Sequence, residues 1–173
     1  MERILWDDYF MTMVYLVAMK SKDESTHIGA VIVGPDNEIR STGYNGLPRG
    51  MNDNIKERQE RPKKYFFFEH SERNSIYNVG LWGGGSLKGC RMYTNGVPCA
   101  DCARGIIQVG IKEVIVDKWW DSRNAKKWEE SALISLEMFN ERGVSVRYYA
   151  GKFVDIIKYK RGEAYSLCNK KIT

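Results

Sequence analysis

Two short stretches constrain this chain more than anything else in it: His70-Ser-Glu72 and, 27 residues after Glu72, Cys99-Ala-Asp-Cys102 behind Pro98. One imidazole and two thiols make a set of borderline-to-soft donors suited to zinc, so the fold must bring two distant segments to one ion. Three protein donors leave a fourth position open, the mark of a catalytic zinc, where a bound water ionises near about pH 7. Pro98 predicts a helix start with Cys99 and Cys102 in its first turn, where free backbone N–H groups and the positive dipole end favour thiolate. His70 opens a helix of its own. Glu72, two residues beyond that ligand, then reaches water or substrate without binding the metal, as a proton shuttle requires. A lone histidine or glutamate is more often an ordinary core or surface residue, and a lone Cys-x-x-Cys is weak; the combination is what is specific.

The rest of the chain predicts alternating helices and strands. Phe10, Met13, Val14 and Val17 recur at helical spacing behind Asp7 and Asp8, which predicts a first helix with an acidic start. Ile28–Val33 and Glu38–Tyr44, separated by Gly34-Pro-Asp-Asn37, predict a hairpin. Residues 49–64, charge-rich and broken by Gly50 and Pro62, read as a long loop beside the site, a candidate lid. Strands are predicted at Arg91–Thr94, Glu113–Asp117 and Val144–Tyr149, with helices from Pro98 to Val109 and from Ala125 to Arg142. Strands alternating with helices of this length imply a sheet covered on both faces. From residue 151 onward, Phe153, Ile156, Ile157 and Tyr159 fit either a short helix or a segment docked on a neighbour.

Charge and length bound the partners. At 173 residues the chain fits one domain, expected to be a catalytic unit at 1–150 and a basic extension at 151–173. The net charge of +5 is concentrated in that extension, whose six Lys and Arg face Asp155 and Glu163 alone, leaving +1 for the first 150 residues. The balance argues against a nucleic-acid binder and allows attraction of a phosphate-bearing ligand or a partner subunit. No apolar run approaches the ~18 residues that span a bilayer, and the N-terminus lacks a secretory pattern, so a cytoplasmic protein without membrane attachment is expected. Cys90 and Cys168 read as plain thiols, and His27 as structural or solvent-facing.

His70-Ser-Glu72 with Pro98-Cys99-Ala-Asp-Cys102 is the zinc deaminase signature, whose implied reaction is hydrolytic: water activated by the metal adds to C4 of cytosine, or C6 of adenine, and ammonia leaves. With Ser21-Lys-Asp23, Ile28-Gly-Ala-Val31, Gly43-Tyr-Asn-Gly46 and Ile106-Ile-Gln-Val-Gly-Ile-Lys-Glu-Val-Ile115, the chain from Trp6 to Tyr149 resembles the deoxycytidylate deaminases. The resemblance implies an α/β fold, the three-layer α/β/α cytidine deaminase-like architecture with a five-stranded mixed sheet. It implies conversion of dCMP to dUMP for thymidylate synthesis, with Glu72 catalytic and His70, Cys99 and Cys102 as metal ligands. It also implies a homo-hexamer controlled by dCTP and dTTP, with Mg2+ accompanying such an effector. Asn45 matches an asparagine that contacts the substrate sugar; Lys22 and Ser25 are candidates for its phosphate; Gly43, Tyr44 and Gly46 border the regulatory nucleotide site. Trp120 stands where members often carry a substrate-contacting tyrosine, and lacks the phenol oxygen. Residues 46–69 hold neither Cys nor His, so one zinc per chain is expected and the second zinc of some members is not.

Overall fold

The computed structural model describes residues 3–81, 83–161 and 163–167, with backbone alone at 124–128. Cys168, read from sequence as a plain thiol, lies outside the described residues. A five-stranded sheet runs in the order β2-β1-β3-β4-β5, from β1 (Gly29–Val33), β2 (Ile39–Tyr44), β3 (Arg91–Thr94), β4 (Glu113–Asp117) and β5 (Ser145–Tyr149). β1 pairs antiparallel with β2 and β3, while β3, β4 and β5 are parallel, so the sheet is mixed, as the family resemblance implies.

Alternation along the strands explains the three layers. Val31, Val33, Tyr93 and Ile115 pack with Phe10, Met11 and Val14 of helix α1 (Trp6–Ala18) on one face. Ile32, Met92, Val114 and Val116 point the other way. There they meet Val79 of α3 (Ser71–Leu81), Ala103 and Ile106 of α4 (Ala100–Gln108) and Phe139 of α5 (Lys118–Arg142). Successive strand residues face opposite sides, so strands buried on both faces are apolar throughout.

Two features set how closely the layers approach the site. A Cβ on Gly43 would lie 2.4 Å from both the Ser71 carbonyl oxygen and the Ser75 nitrogen. Only glycine therefore lets β2 lie flush against the first turn of α3, the turn that follows His70. On the far side, Asp7 accepts from the Tyr93 hydroxyl at 2.7 Å and from Arg147 at 2.5 and 3.1 Å, tying α1 to β3 and β5.

Three elements differ from the sequence expectation. Helix α5 begins at Lys118, not Ala125, because the Asp117 carboxylate accepts the Trp119 N–H at 3.0 Å and caps it. Residues 49–64 are not a free loop: they contain a 3-10 turn at Lys56–Arg58 and lead into a single helical turn, α2 (Lys64–Phe67), and Asp53, Gln59 and Lys64 bond to the loop at residues 21–26. The C-terminal segment first docks, with the Val154 N–H donating to Thr12 Oγ1 at 2.9 Å and Phe153 set edge-on to Tyr15. It then forms a two-stranded hairpin, β6 (Ile157–Lys160) with β7 (Glu163–Ser166), separate from the main sheet and not the short helix that was one expectation. No helix among the described residues is long and apolar enough to cross a membrane.

Candidate active site

His70 sits immediately before α3, and its carbonyl accepts the Asn74 N–H at 2.9 Å, which makes it the capping residue of that helix. Cys99 is the N-cap of α4, and Cys102 lies one turn in, fully buried. The two helix starts converge: His70 Nδ1 lies 3.4 Å from Cys99 Sγ and 3.5 Å from Cys102 Sγ. All three donor atoms fall within 4.8 Å of one another. Tetrahedral zinc with ordinary Zn–N and Zn–S bonds places such N and S ligands about 3.6 Å apart, so the donor set fits the ion in both chemistry and spacing.

The electrostatics agree. The Cys99 thiol is pulled down to about 4, chiefly by the hydrogen bond from Cys102 and, against burial, by His70. Cys102 is pushed up by that same bond and by burial. The cluster thus carries one thiolate by its own hydrogen bonding, and a divalent cation among the three atoms stabilises both sulfurs as thiolates. Arg73 braces the arrangement: its Nε donates at 2.5 Å to Glu69 Oε1, which also accepts the His70 N–H at 3.0 Å, and its Nη1 lies 3.8 Å from Asp101, between the two cysteines.

Glu72, in the first turn of α3, is 6% exposed, and its Oε2 accepts from Ser71 Oγ at 3.0 Å. Burial raises its carboxyl above the usual range, opposed by the neighbouring His70. Glu72, His70 and Cys99 open onto a cavity of about 530 Å³, which Asn45, Ser25 and Trp120 also line. Cys102 lies beneath. Lys22, Gly43, Tyr44 and Gly46 are not among the lining residues.

Asn45, Gly46, Lys22 and Ser25 each have a structural task. Asn45 accepts the Ile28 N–H at 2.9 Å and donates to Asp23 Oδ2 and the Thr26 carbonyl, each at 2.9 Å, so its amide organises the loop at 21–28. Gly46 exchanges two backbone hydrogen bonds with Glu69, of 3.1 and 2.8 Å, fixing the residue just before His70. Lys22 is exposed and pairs with Asp53, and Gln59 bonds the Lys22 carbonyl at 3.1 Å. Those contacts are what strap residues 49–64 down. Ser25 Oγ donates to Asp23 Oδ1 at 2.9 Å and accepts from Lys64 at 2.6 Å.

Sequence reasoning missed that wall of the cavity. Arg61, Lys64 and Tyr65 from the insertion, with Tyr148 of β5, line it beside Asp23. Asp23 and Lys64 form a buried ion pair, 4% and 7% exposed in their side chains, with Lys64 also over the Phe68 ring. Burial opposes ionisation of Asp23, but Lys64 and the Ser25 and Thr26 N–H groups hold it below the usual carboxylate range. A buried charge stripped of its partner is costly, so Lys64→Met is expected to lower unfolding free energy by about 3 kcal/mol in urea melts. A loss under about 1 kcal/mol, the value of an exposed pair, would contradict that burial.

A three-layer fold that sets a histidine and two cysteines at facing helix starts, beside a cavity lined by a buried glutamate, defines a zinc-binding deaminase. The sequence profile of the cytidine and deoxycytidylate deaminase zinc-binding region matches residues 4–118, and the chain belongs to that family. Deoxycytidylate deaminase of Mus musculus is 38% identical over 159 residues, covering 88% of this chain and 84% of its own. An uncharacterised deaminase of Aliivibrio fischeri is 37% identical over 153 residues, covering 88% of this chain and 97% of its own. The fold is shared with the dCMP deaminase of cyanophage S-TIM5, solved with dCMP and dUMP: TM-score 0.65, 20% identity, 86% of this chain and 100% of that one.

Proposed function

We propose that the protein hydrolyses dCMP to dUMP and ammonia, with His70, Cys99 and Cys102 holding one zinc and Glu72 moving the protons. The observation that carries this is the Glu72 carboxylate, buried in the same cavity as the three-donor cluster. Relatives named deoxycytidylate deaminase over most of the chain support the choice of substrate. When bound, zinc supplies Lewis-acid activation of a water molecule, bringing its ionisation toward neutral pH. Glu72, its Oε2 steadied by Ser71, takes one proton from the attacking water and gives it to the ring nitrogen, then takes the second proton from the hydroxyl added at C4 and gives it to the amino group, which leaves as ammonia while the C4 carbonyl forms. A carboxyl raised by burial suits both halves of that transfer. Asn45 and Trp120 border the bound nucleoside.

The same reading assigns residues 1–150 to the deaminase unit and 151–173 to a basic extension. It places the protein in the cytoplasm as a homo-hexamer, with dCTP and dTTP, accompanied by Mg2+, acting near Gly43, Tyr44 and Gly46. Incubating the zinc-loaded protein with dCMP, dCTP, deoxycytidine and an adenosine-containing tRNA loop tests the assignment. Ammonia is expected from dCMP first; release only from the RNA would refute it.

A further inference from the structure

We infer that Arg61 is the specificity-determining residue that reads the 5′-phosphate of the substrate, which rests on the proposed dCMP reaction. Apart from His70, two cationic side chains line the cavity among the described residues, Arg61 and Lys64. Lys64 is committed: its ammonium pairs with Asp23 and donates to Ser25 Oγ, whose own O–H donates to Asp23. Asp23 Oδ1 also takes the Ser25 and Thr26 N–H groups, at 2.8 and 3.0 Å. That knot is an anion already neutralised, with the Ser25 hydroxyl used up inside it. Lys22 pairs with Asp53 and does not line the cavity.

Arg61 is different. It is exposed at the cavity wall, and among the described residues it has neither an ion pair nor a hydrogen bond. Outside the Asp23–Lys64 pair, the other ionisable side chains besides His70, Cys99 and the tyrosines that line the cavity among the described residues are carboxyls: Glu72 beside the cluster, Asp121, which accepts the Val97 N–H at 3.0 Å, and Glu129. A phosphate is repelled from those and drawn to the wall carrying Arg61. A guanidinium presents a planar fork that matches two phosphate oxygens at once. Such a group stays solvated until the ligand arrives, so no buried charge waits unpaired.

The test is steady-state kinetics on dCMP and deoxycytidine for wild type, Arg61→Gln, Arg61→Lys and Arg58→Gln. Arg61→Gln is expected to raise KM for dCMP about 50-fold, the worth of one charge-assisted bidentate contact. Its kcat should change less than about twofold, and deoxycytidine turnover should be unmoved. Arg61→Lys should recover part of the loss. Arg58→Gln removes the same charge three residues away, at a side chain that stacks over Phe67 and does not line the cavity, and should leave the substrate ratio unchanged. Equal losses on both substrates, or an unchanged KM for dCMP, would overturn the assignment. Calorimetric binding of dUMP and deoxyuridine reads the same contact without turnover. Wild type that binds dUMP more tightly than deoxyuridine, with Arg61→Gln equalising them, supports Arg61 even were dCMP not the substrate; no difference in wild type rejects it.

Discussion

Zinc-loaded Glu72→Gln protein is expected to keep its metal and its melting temperature while dCMP turnover falls about 10⁴-fold. At about 1.4 kcal/mol per decade, that is a barrier rise near 5.5 kcal/mol. The side chain is 6% exposed and held by Ser71 Oγ at 3.0 Å, so a glutamine of the same shape can keep that hydrogen bond through its carbonyl. It cannot take up and release a proton. Nor should folding suffer, since a neutral amide spares the cost of ionising a buried carboxyl, the cost that raises Glu72 here. The measurements are metal content by atomic absorption, thermal melting, and the absorbance change as cytosine becomes uracil. Zinc lost together with activity would make Glu72 a ligand. Turnover reduced less than tenfold would place the proton transfer on another group.

How much of this could be read from the amino acids depends on the range of the interaction. Strands β3 and β4 match their expected bounds, because a strand apolar on both faces and closed by turn residues is a local pattern. The start of α5 is not: Lys118-Trp-Trp-Asp-Ser-Arg-Asn124 has no apolar period, and the Asp117 cap that begins the helix is a single side chain. The tail hairpin did carry a signal, since Ile157-Lys-Tyr-Lys160 alternates with period two, but its side chains are exposed and the alternation faces no core. Within the site, His70, Glu72, Cys99 and Cys102 stood out because metal chemistry fixes residue types and spacing. Arg61, Lys64 and Asp23 did not. Their arrangement requires an insertion to fold back across 41 residues, from Lys64 to Asp23, and charge in a loop looks the same whether it is solvated or buried. The Gly43-Tyr-Asn-Gly46 stretch was visible but gains a more basic explanation: Gly43 admits α3, Asn45 ties down the loop at 21–28, and Gly46 fixes the residue before the ligand histidine.

Cys99→Ala is expected to abolish both zinc retention and turnover, and to make stability indifferent to the metal. Cys99 is one of the three protein donors in the cluster among the described residues and the N-cap of α4, so its loss leaves two donors and two open positions on the ion. Zinc bound by the native state alone stabilises it by mass action, about 4 kcal/mol when free zinc stands a thousandfold above its dissociation constant. For a chain of this size that is roughly 8 to 16 °C in Tm. Wild type stripped with a chelator should therefore melt lower by that margin and recover when zinc is restored, while Cys99→Ala should melt low with or without it. Cys90→Ala is the matched comparison: Cys90 is 2% exposed but packs among Ile32, Leu87 and Met92, away from the cluster. It should keep one zinc per chain and most of its turnover, losing only the small packing contribution of a buried sulfur. Stoichiometric zinc in Cys99→Ala, or its loss in Cys90→Ala, would mean that the ion is held elsewhere than at the two facing helix starts.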